Sequence, residues 1–214
     1  MTGQLLDLGR MNYGEALNLQ RELMNMRSLD QIPDTLILLE HDHVITLGRK
    51  TSPVNLRQQQ VPVFEVERGG DATYHGPGQL VGYPIIKLVD HDVRKHVVII
   101  ENTIIRTLQR FGIEAATVQG HPGVWIGGRK KIASIGVAVT NWVSYHGFAL
   151  NVNTDLSYFG LIQPCGMDPS TMTSMEKELG RSLDMEQVKA AVAQEFAACR
   201  GEEYRPGNIG GPHT

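Results

Sequence analysis

Apolar residues recur at helical spacing in three stretches of the chain. Over residues 13–27 they form one stripe, with Asn12 placed to cap the N-terminus. Residues 93–111 carry the clearest stripe, and Gly112 suits the position just beyond a helix C-terminus. Residues 184–200 begin with an aspartate that can cap a third amphipathic helix. The spacing therefore predicts three substantial helices.

Short runs rich in β-branched residues and leucine predict strands. These runs are 35–39, 44–47, 61–66, 80–88, 124–126, 131–140 and 143–152. Pro84 has no N–H to donate, so we expect it at a sheet edge or a bulge. The mixture of helices and strands, without a repeat or a low-complexity linker, predicts one α/β domain over residues 1–200. Four glycines and two prolines in residues 201–214 predict a flexible tail.

Composition excludes several classes of protein. Hydrophobic residues make up 41% of the 214 residues, as in a globular chain, and the formal charge of −3 favours neither nucleic acid nor anionic lipid as a partner. No run approaches about 18 apolar residues, and the N-terminal stretch lacks the features of a signal peptide. Two cysteines without a CxxC pair indicate a reducing compartment. The sequence predicts a cytoplasmic protein without a membrane span.

A glycine-rich segment is the first candidate for chemistry. Residues 69–82 contain five glycines, and such a backbone can approach a ligand closely and turn N–H groups toward a carbonyl or a phosphate. Neither GxGxxG nor GxxxxGK[ST] occurs in it, so no standard nucleotide loop is indicated. His75 lies within the segment and could exchange protons near neutral pH. A tight connection between strands, with an ordinary loop histidine, is the alternative.

The alternation of side chains along a strand predicts opposite directions for two adjacent lysines. In residues 131–140 the odd positions form the more apolar face, which predicts that Lys131 points inward and Lys130 outward. An inward lysine is costly to keep charged, whereas a lysine at a strand start often extends to solvent instead. The same alternation puts His146 on the apolar face of the next strand. A hydrogen-bonded core histidine and a functional histidine are both compatible with that position.

Only one of the two cysteines has the surroundings of a reactive thiol. Cys165 lies in a predicted turn between a proline and a glycine, where a thiol is accessible and a nearby cation lowers its pKa. Thr173 and Glu176 follow with the spacing of a capping box, which predicts a short helix. Cys199 falls on the apolar stripe of the last predicted helix, which is typical of a small core residue. A lone cysteine is more often inert than catalytic, so this observation alone does not establish a nucleophile.

A histidine pair raises the question of a metal site. His41 and His43 are separated by one residue, so on a strand they would point the same way and could share a zinc ion. No HExxH motif and no cysteine pair accompanies them. A polar turn between two strands is the better interpretation, and no metal is expected.

Four motifs occur along the chain in this order: RGGDATYHGPGQLVGYPI at 68–85, KIASIG at 131–136, HGFALNV at 146–152 and PCG at 164–166. Together they resemble one family, the octanoyltransferases of lipoate biosynthesis. The resemblance extends over roughly residues 5–200. It implies the fold shared with the catalytic domain of biotin and lipoate protein ligases, an α/β (α+β type) fold. That fold has a mixed, largely antiparallel sheet and flanking helices.

The resemblance also implies roles for individual residues. The nucleophile of the family corresponds to Cys165, and the lysine that lowers the pKa of that thiol and transfers protons corresponds to Lys131. His146 is expected to support the site. The acyl-binding segments correspond to Arg68, Gly69, Gly70, Asp71, Ala72, Thr73, Tyr74, His75, Ser134, Ile135, Gly136, Gly147, Phe148 and Ala149.

The implied reaction moves an octanoyl or lipoyl group from acyl carrier protein to a specific lysine, through a thioester on Cys165. The implied acceptors are the lipoyl domains of 2-oxoacid dehydrogenase E2 subunits and the glycine-cleavage H protein. Because octanoyl-phosphopantetheine on the carrier protein is already a thioester, neither ATP nor a metal is expected. An ATP-dependent lipoate or biotin ligase would need an adenylate rather than a thiol. A non-catalytic module that binds acyl carrier protein would leave Cys165 and Lys131 unexplained.

Overall fold

A computed structural model of the chain describes residues 2–51, 60–162 and 168–207. The strands in those ranges are β1 (Thr2–Met11), β2 (Thr35–His41), β3 (Val44–Leu47), β4 (Val63–Glu65), β5 (Thr73–His75), β6 (Gln79–Ile85), β7 (Ala116–Val118), β8 (His121–Ile126), β9 (Lys130–Thr140), β10 (Val143–Asn151) and β11 (Glu203–Pro206). The helices are α1 (Tyr13–Ser28), α2 (Val93–Arg110), α3 (Met175–Leu179) and α4 (Met185–Arg200). Short 3-10 turns cover Leu156–Leu161 and Pro169–Thr171.

The described strands form two sheets. One has eight strands in the order β11-β1-β2-β6-β10-β9-β8-β7, and the other has three in the order β4-β3-β5. The larger sheet is antiparallel from β2 to β7 and parallel where β1 pairs with β2 and β11. This confirms the mixed, largely antiparallel sheet that the family resemblance implies.

Helices flank both faces of the larger sheet because its central strands are apolar on both sides. On β2, Leu36 and Leu38 belong to the core that α2 and α4 cover. The alternate residues Ile37 and Leu39 belong to the core under α1. All four side chains are at most 1% exposed, so the strand is buried on both faces.

The helix ends confirm most of the capping predictions. Asn12 accepts a hydrogen bond from the Gly14 N–H at 2.8 Å at the start of α1, and Asp184 caps α4. Gly112 follows the C-cap of α2 with a φ of +77°, a conformation that glycine adopts without strain. The short helix α3 differs by one residue from the predicted capping box. Ser174, rather than Thr173, supplies its cap.

The start of the predicted flexible tail is instead a strand, β11. It pairs in parallel with β1, from Thr2 opposite Glu203 to Leu5 opposite Pro206. The ring of Tyr204 packs edge-on against an aromatic ring of α4 at a centroid distance of 5.2 Å. The prediction of a flexible tail from glycine and proline content is wrong for these residues. A short edge strand needs only backbone pairing and one anchored side chain, and this content does not exclude either. Residues 208–214 lie outside the described residues.

Pro84 lies in β6, a central strand between β2 and β10, so the predicted edge position is wrong. The pairing of β10 with β6 extends up to Gly82, lapses around Pro84 and resumes at Lys87 in the same register. In this lapse His146 adopts a φ of +55° and donates its backbone N–H to Gln20 Oε1 at 2.9 Å. The sheet thus accommodates the missing proline N–H by local loss of pairing rather than by an added residue.

A buried histidine on α2 makes the fold sensitive to acid. His96 is 2% exposed, and neither ring nitrogen has a hydrogen-bond partner among the described residues. Burial, and secondly the positive charge of Arg200, lowers the pKa of His96 from 6.5 to about 4. Between these two pH values the unfolded chain binds a proton that the folded chain does not. The free energy of unfolding therefore falls as the pH falls through this interval.

We expect His96 to account for up to about 3 kcal/mol of the stability lost between these pH values, since one pKa unit corresponds to about 1.4 kcal/mol. Urea unfolding of a His96→Leu variant at several pH values in this interval should show a shallower dependence on pH. His121→Gln, which removes an exposed histidine, is the matched control. An unchanged slope in the His96 variant would contradict the assignment.

Candidate active site

A cavity of about 450 Å³ lies between the glycine-rich segment and strands β9 and β10. Its described lining residues are Tyr13, Lys50, Arg68, Gly69, Gly70, Asp71, Ala72, Thr73, His75, Tyr83, Val97, Pro122, Lys131, Ser134, Ile135, Gly136, Val137, His146, Gly147, Phe148 and Ala149. The volume is typical of a site for a small organic ligand. Three segments that are distant in sequence therefore share one cavity.

Every predicted acyl-binding residue lines this cavity except Tyr74. On β5 the side chains alternate, so Thr73 and His75 face the cavity and Tyr74 faces away. The Tyr74 hydroxyl is 2.8 Å from His43 Nδ1, and its ring stacks on Tyr158 at a centroid distance of 5.2 Å. Tyr74 is therefore not part of the cavity wall. The acyl-binding role of these residues stays a prediction.

Several lining residues are absent from the sequence predictions above. Tyr13 starts α1, Val97 belongs to α2, Pro122 belongs to β8, and Lys50 follows β3. Their approach to the cavity depends on how these elements pack, and no local pattern indicates it. Tyr83 is different because it falls within the motif shared with the family, which was a usable signal.

The glycine-rich segment is attached to β9 and to the smaller sheet. The Arg68 guanidinium is buried, and its Nη2 donates to the carbonyl and the hydroxyl of Thr46 at 2.9 and 2.8 Å. The Gly69 N–H donates to the Val137 carbonyl at 3.0 Å. A Cβ on Gly136 would lie 2.8 Å from the Gly69 carbonyl oxygen, so only glycine lets the segment lie this close to β9.

Glycines also let the cavity-lining strands approach each other. Gly136 of β9 and Gly147 of β10 are directly paired. A Cβ on Gly147 would collide with the Gly82 carbonyl and come within 2.6 Å of the Pro84 ring. The ring of Phe148 covers Gly82 in the same way. Gly82, Gly136 and Gly147, which lie in three of the four family motifs, thus share a steric role, because a side chain at any of them would prevent this close packing around the cavity.

Lys131 points inward, as strand alternation predicts. Lys131 is 4% exposed, whereas the side chain of Lys130 is 51% exposed. The Lys131 Nζ lies 5.2 Å from the centroid of the Trp125 ring, within range of a cation–π interaction. Its aliphatic stem runs against Gly123, where a Cβ would lie 2.6 Å from Lys131 Cε. The alternative, a lysine that extends to solvent, does not occur.

The backbone of Lys131 pairs with the segment that follows the predicted nucleophile. The Thr173 N–H donates to the Lys131 carbonyl at 3.0 Å, and Met172 forms a bridge with Lys131. Ile162 and Met172 are buried in one cluster with Ala72, a cavity-lining residue. Cys165 itself lies outside the described residues. The described chain on both sides of it therefore lies close to the cavity.

A chain of buried hydrogen bonds runs from the cavity to the same segment. His75 Nδ1 is 2.8 Å from Gln79 Oε1, and Gln79 Nε2 donates to Asn151 Oδ1 at 2.9 Å. Asn151 Nδ2 donates to the Thr173 carbonyl at 2.9 Å. Because Thr173 also binds the Lys131 carbonyl, these contacts connect His75 to the strand that carries Lys131.

The imidazoles and phenols that line the cavity are uncharged near neutral pH. Burial, and secondly the charge of Arg68, lowers the pKa of His146 to about 4. Burial likewise lowers the pKa of His75 well below 6.5 and raises the pKa of Tyr13 to about 12. Burial also raises the pKa of Tyr83 well above 10. This part of the wall suits an uncharged ligand group.

The histidine pair near the end of β2 serves protein contacts. His41 Nδ1 donates to the Met11 carbonyl at 2.8 Å, and His43 contacts the Tyr74 hydroxyl. Across the three described ranges, no group of three or more His, Cys, Asp or Glu residues is arranged to hold a metal ion.

None of the helices in those ranges is both long and apolar enough to cross a membrane.

Comparison with known proteins decides the family. A family model described as the lipoyl protein ligase A/B catalytic domain matches residues 12–197. The chain belongs to this family. An octanoyltransferase from Syntrophobacter fumaroxidans is 46% identical over 198 residues, covering 88% of this chain and 86% of the relative. Because this identity extends over most of both chains, the protein is an acyltransferase.

Solved structures of lipoate and biotin protein ligases share its fold. A crystal structure of lipoate-protein ligase A bound with ATP superposes with a TM-score of 0.76 at 16% identity, covering 98% of this chain and 90% of the ligase. Biotin protein ligase from Aquifex aeolicus gives a TM-score of 0.53 at 11% identity, covering 93% of this chain and 68% of the other. The fold that the sequence resemblance implies is confirmed.

Proposed function

We propose that this enzyme transfers an octanoyl or lipoyl group from acyl carrier protein to a lysine of a lipoyl domain or of glycine-cleavage H protein. The reaction proceeds in the cytoplasm through a thioester on Cys165 and uses neither ATP nor a metal. The observation that carries the proposal is the buried Lys131 side chain, which lines a largely apolar cavity next to the chain flanking Cys165.

The position of Lys131 suits proton transfer to and from sulfur. An ammonium near Cys165 stabilises its thiolate, which attacks the carbonyl carbon of the donor thioester. The donor C–S bond then breaks, and the leaving phosphopantetheine sulfur takes a proton from Lys131. In the second step the acceptor amine attacks the acyl-enzyme. An amide forms, the C–S bond to Cys165 breaks, and Lys131 accepts a proton from the amine.

Chain connectivity supports the pairing of Cys165 with Lys131. Cys165 is three residues beyond Ile162, and an extended chain covers at most about 11 Å over that length. Ile162 is fully buried against the cluster that contains Ala72, and Met172 on the other side bridges to Lys131. The described residues on both sides of Cys165 therefore lie beside the cavity, and this supports the proposed pairing.

The apolar residues of the cavity wall favour binding of a hydrocarbon chain. Val97, Ile135 and Phe148 contribute apolar surface, and the neighbouring histidines are neutral because burial lowers their pKa values. Each methylene of an acyl chain that leaves water for such a site contributes about 0.8 kcal/mol to binding. An octanoyl chain therefore gains several such increments here.

Intact-protein mass spectrometry with octanoyl-acyl carrier protein, in the absence of ATP, tests the proposal. We expect one octanoyl group on the enzyme, and peptide mapping should locate it on Cys165. Addition of a lipoyl domain should then discharge the adduct. A parallel reaction with octanoate and ATP is the control for a ligase. Acceptor modification in that reaction alone, with no adduct from the thioester donor, would refute the proposal.

A further inference from the structure

Buried amides determine which nitrogen of His75 carries its proton. The Thr173 carbonyl can only accept, so Asn151 directs its amide nitrogen to Thr173 and its oxygen to Gln79. Gln79 Nε2 donates to that oxygen and to the Tyr74 carbonyl, the latter at 3.2 Å. Gln79 therefore turns its own oxygen toward His75 Nδ1. Since this oxygen can only accept, Nδ1 must be the protonated nitrogen.

The other nitrogen, His75 Nε2, is then an acceptor on the cavity wall. No hydrogen bond to it occurs within the described residues, although the ring lines the cavity. The Tyr83 hydroxyl does not donate its proton to His75 Nε2. His41 Nδ1 must donate to the Met11 carbonyl, so His41 Nε2 accepts that proton from Tyr83 at 2.7 Å.

The electrostatics favour hydrogen-bond acceptance over proton abstraction. Burial, and secondly the proximity of His41, lowers the pKa of His75 well below 6.5. The ring therefore stays neutral at the pH of the reaction, and its low basicity makes it a poor general base for an amine. A neutral nitrogen lone pair in a buried site still favours a donor group on the ligand.

We propose, building on the proposed function, that His75 Nε2 accepts a hydrogen bond from an N–H group of the substrate. Gln79 and Asn151 are positioning residues that hold His75 in the required tautomer. The acyl chain has no N–H group, whereas the reaction supplies N–H groups from two sources. One source is the phosphopantetheine arm, with its amides, during acylation, and the other is the acceptor amine during transfer.

The tautomer can be measured without any activity. Long-range ¹H–¹⁵N spectra of protein with ¹⁵N-labelled histidine distinguish a protonated ring nitrogen from a bare one. We expect Nδ1 to be protonated and Nε2 bare for His75 at neutral pH. A ring protonated at Nε2, or at both nitrogens, would overturn the inference. Because no substrate is present, this result is independent of whether the proposed function holds.

Two substitutions of His75 separate the acceptor from the rest of the ring. His75→Asn keeps an N–H for Gln79 but has no atom near the Nε2 position, whereas His75→Gln can bring a carbonyl oxygen there. Loss of one neutral hydrogen bond corresponds to about a tenfold lower rate. We expect that loss in the Asn variant and recovery of most of the rate in the Gln variant. Thermal unfolding checks that both variants are folded.

The two half-reactions identify which substrate group donates the hydrogen bond to His75. Acylation of Cys165 is followed by mass spectrometry, and transfer is followed from pre-acylated enzyme to a lipoyl domain. If His75→Asn slows acylation alone, the hydrogen-bond donor to His75 Nε2 is an amide of phosphopantetheine. If it slows transfer alone, the hydrogen-bond donor is the acceptor amine. Wild-type rates in both half-reactions, or equal losses in the two variants, would overturn the proposal.

Discussion

Lys131→Met is expected to slow octanoyl transfer by at least about 100-fold, the lower end of what proton transfer by a positioned side chain contributes. Methionine retains an unbranched apolar stem that can pack against Gly123 and Trp125, but it has no ammonium. Lys130→Met is the matched control, because that side chain is half exposed and 3.6 Å from Glu178, a surface pair of little energetic value. The measurement is octanoylation of a lipoyl domain by acyl carrier protein donor.

The pH dependence tests how Lys131 acts. If its ammonium stabilises the thiolate, the defect of Lys131→Met is greatest below the ordinary thiol pKa of about 8.5. As the pH rises toward that value, the thiol ionises unaided and acylation by the variant should recover. A ratio of wild-type to variant acylation rates that stays constant with pH would argue against thiolate stabilisation. Matched melting temperatures would show that the variant is folded.

Cys165→Ser is expected to abolish the acyl adduct and to reduce transfer by at least about 1,000-fold, as removal of a nucleophile does in covalent hydrolases. A serine hydroxyl is much harder to ionise than a thiol, so Lys131 cannot activate it in the same way. Cys199→Ser is the matched control because Cys199 lies on α4 and does not line the cavity. Mass spectrometry of both variants, together with the transfer rate, measures the effect.

Two results would contradict the assignment of Cys165 as the nucleophile. Transfer at the wild-type rate by Cys165→Ser would show that no thioester on this residue is needed. An equal loss of activity in Cys199→Ser would show that the assay reports a general effect on cysteine rather than on one nucleophile.

The features that were predictable from sequence depend on local periodicity. The direction of Lys131 follows from the two-residue repeat of β9, which is long enough for one apolar face to be recognised. Helices α1, α2 and α4 combine an apolar stripe with a capping side chain or a glycine at one end. These signals involve neighbours in sequence and do not depend on tertiary packing.

The features that were not predictable depend on packing between distant segments. Strand β5 has only three residues, all buried, so its sequence contains no alternation that could show Tyr74 turned away from the cavity. Pro84 lies in a central strand because β10 gives up its pairing there, which β6 alone does not indicate. Tyr13 and Val97 reach the cavity only because two helices converge on it.

The pairing of β11 with β1 has a consequence for synthesis of the chain on the ribosome. Strand β1 is made first and can pair with β2 early, but its other edge stays open until residues 203–206 have emerged. An open strand edge is a site where nascent chains can associate with each other. Completion of this sheet therefore waits for residues 203–206, and until then the open edge leaves the nascent chain vulnerable to aggregation.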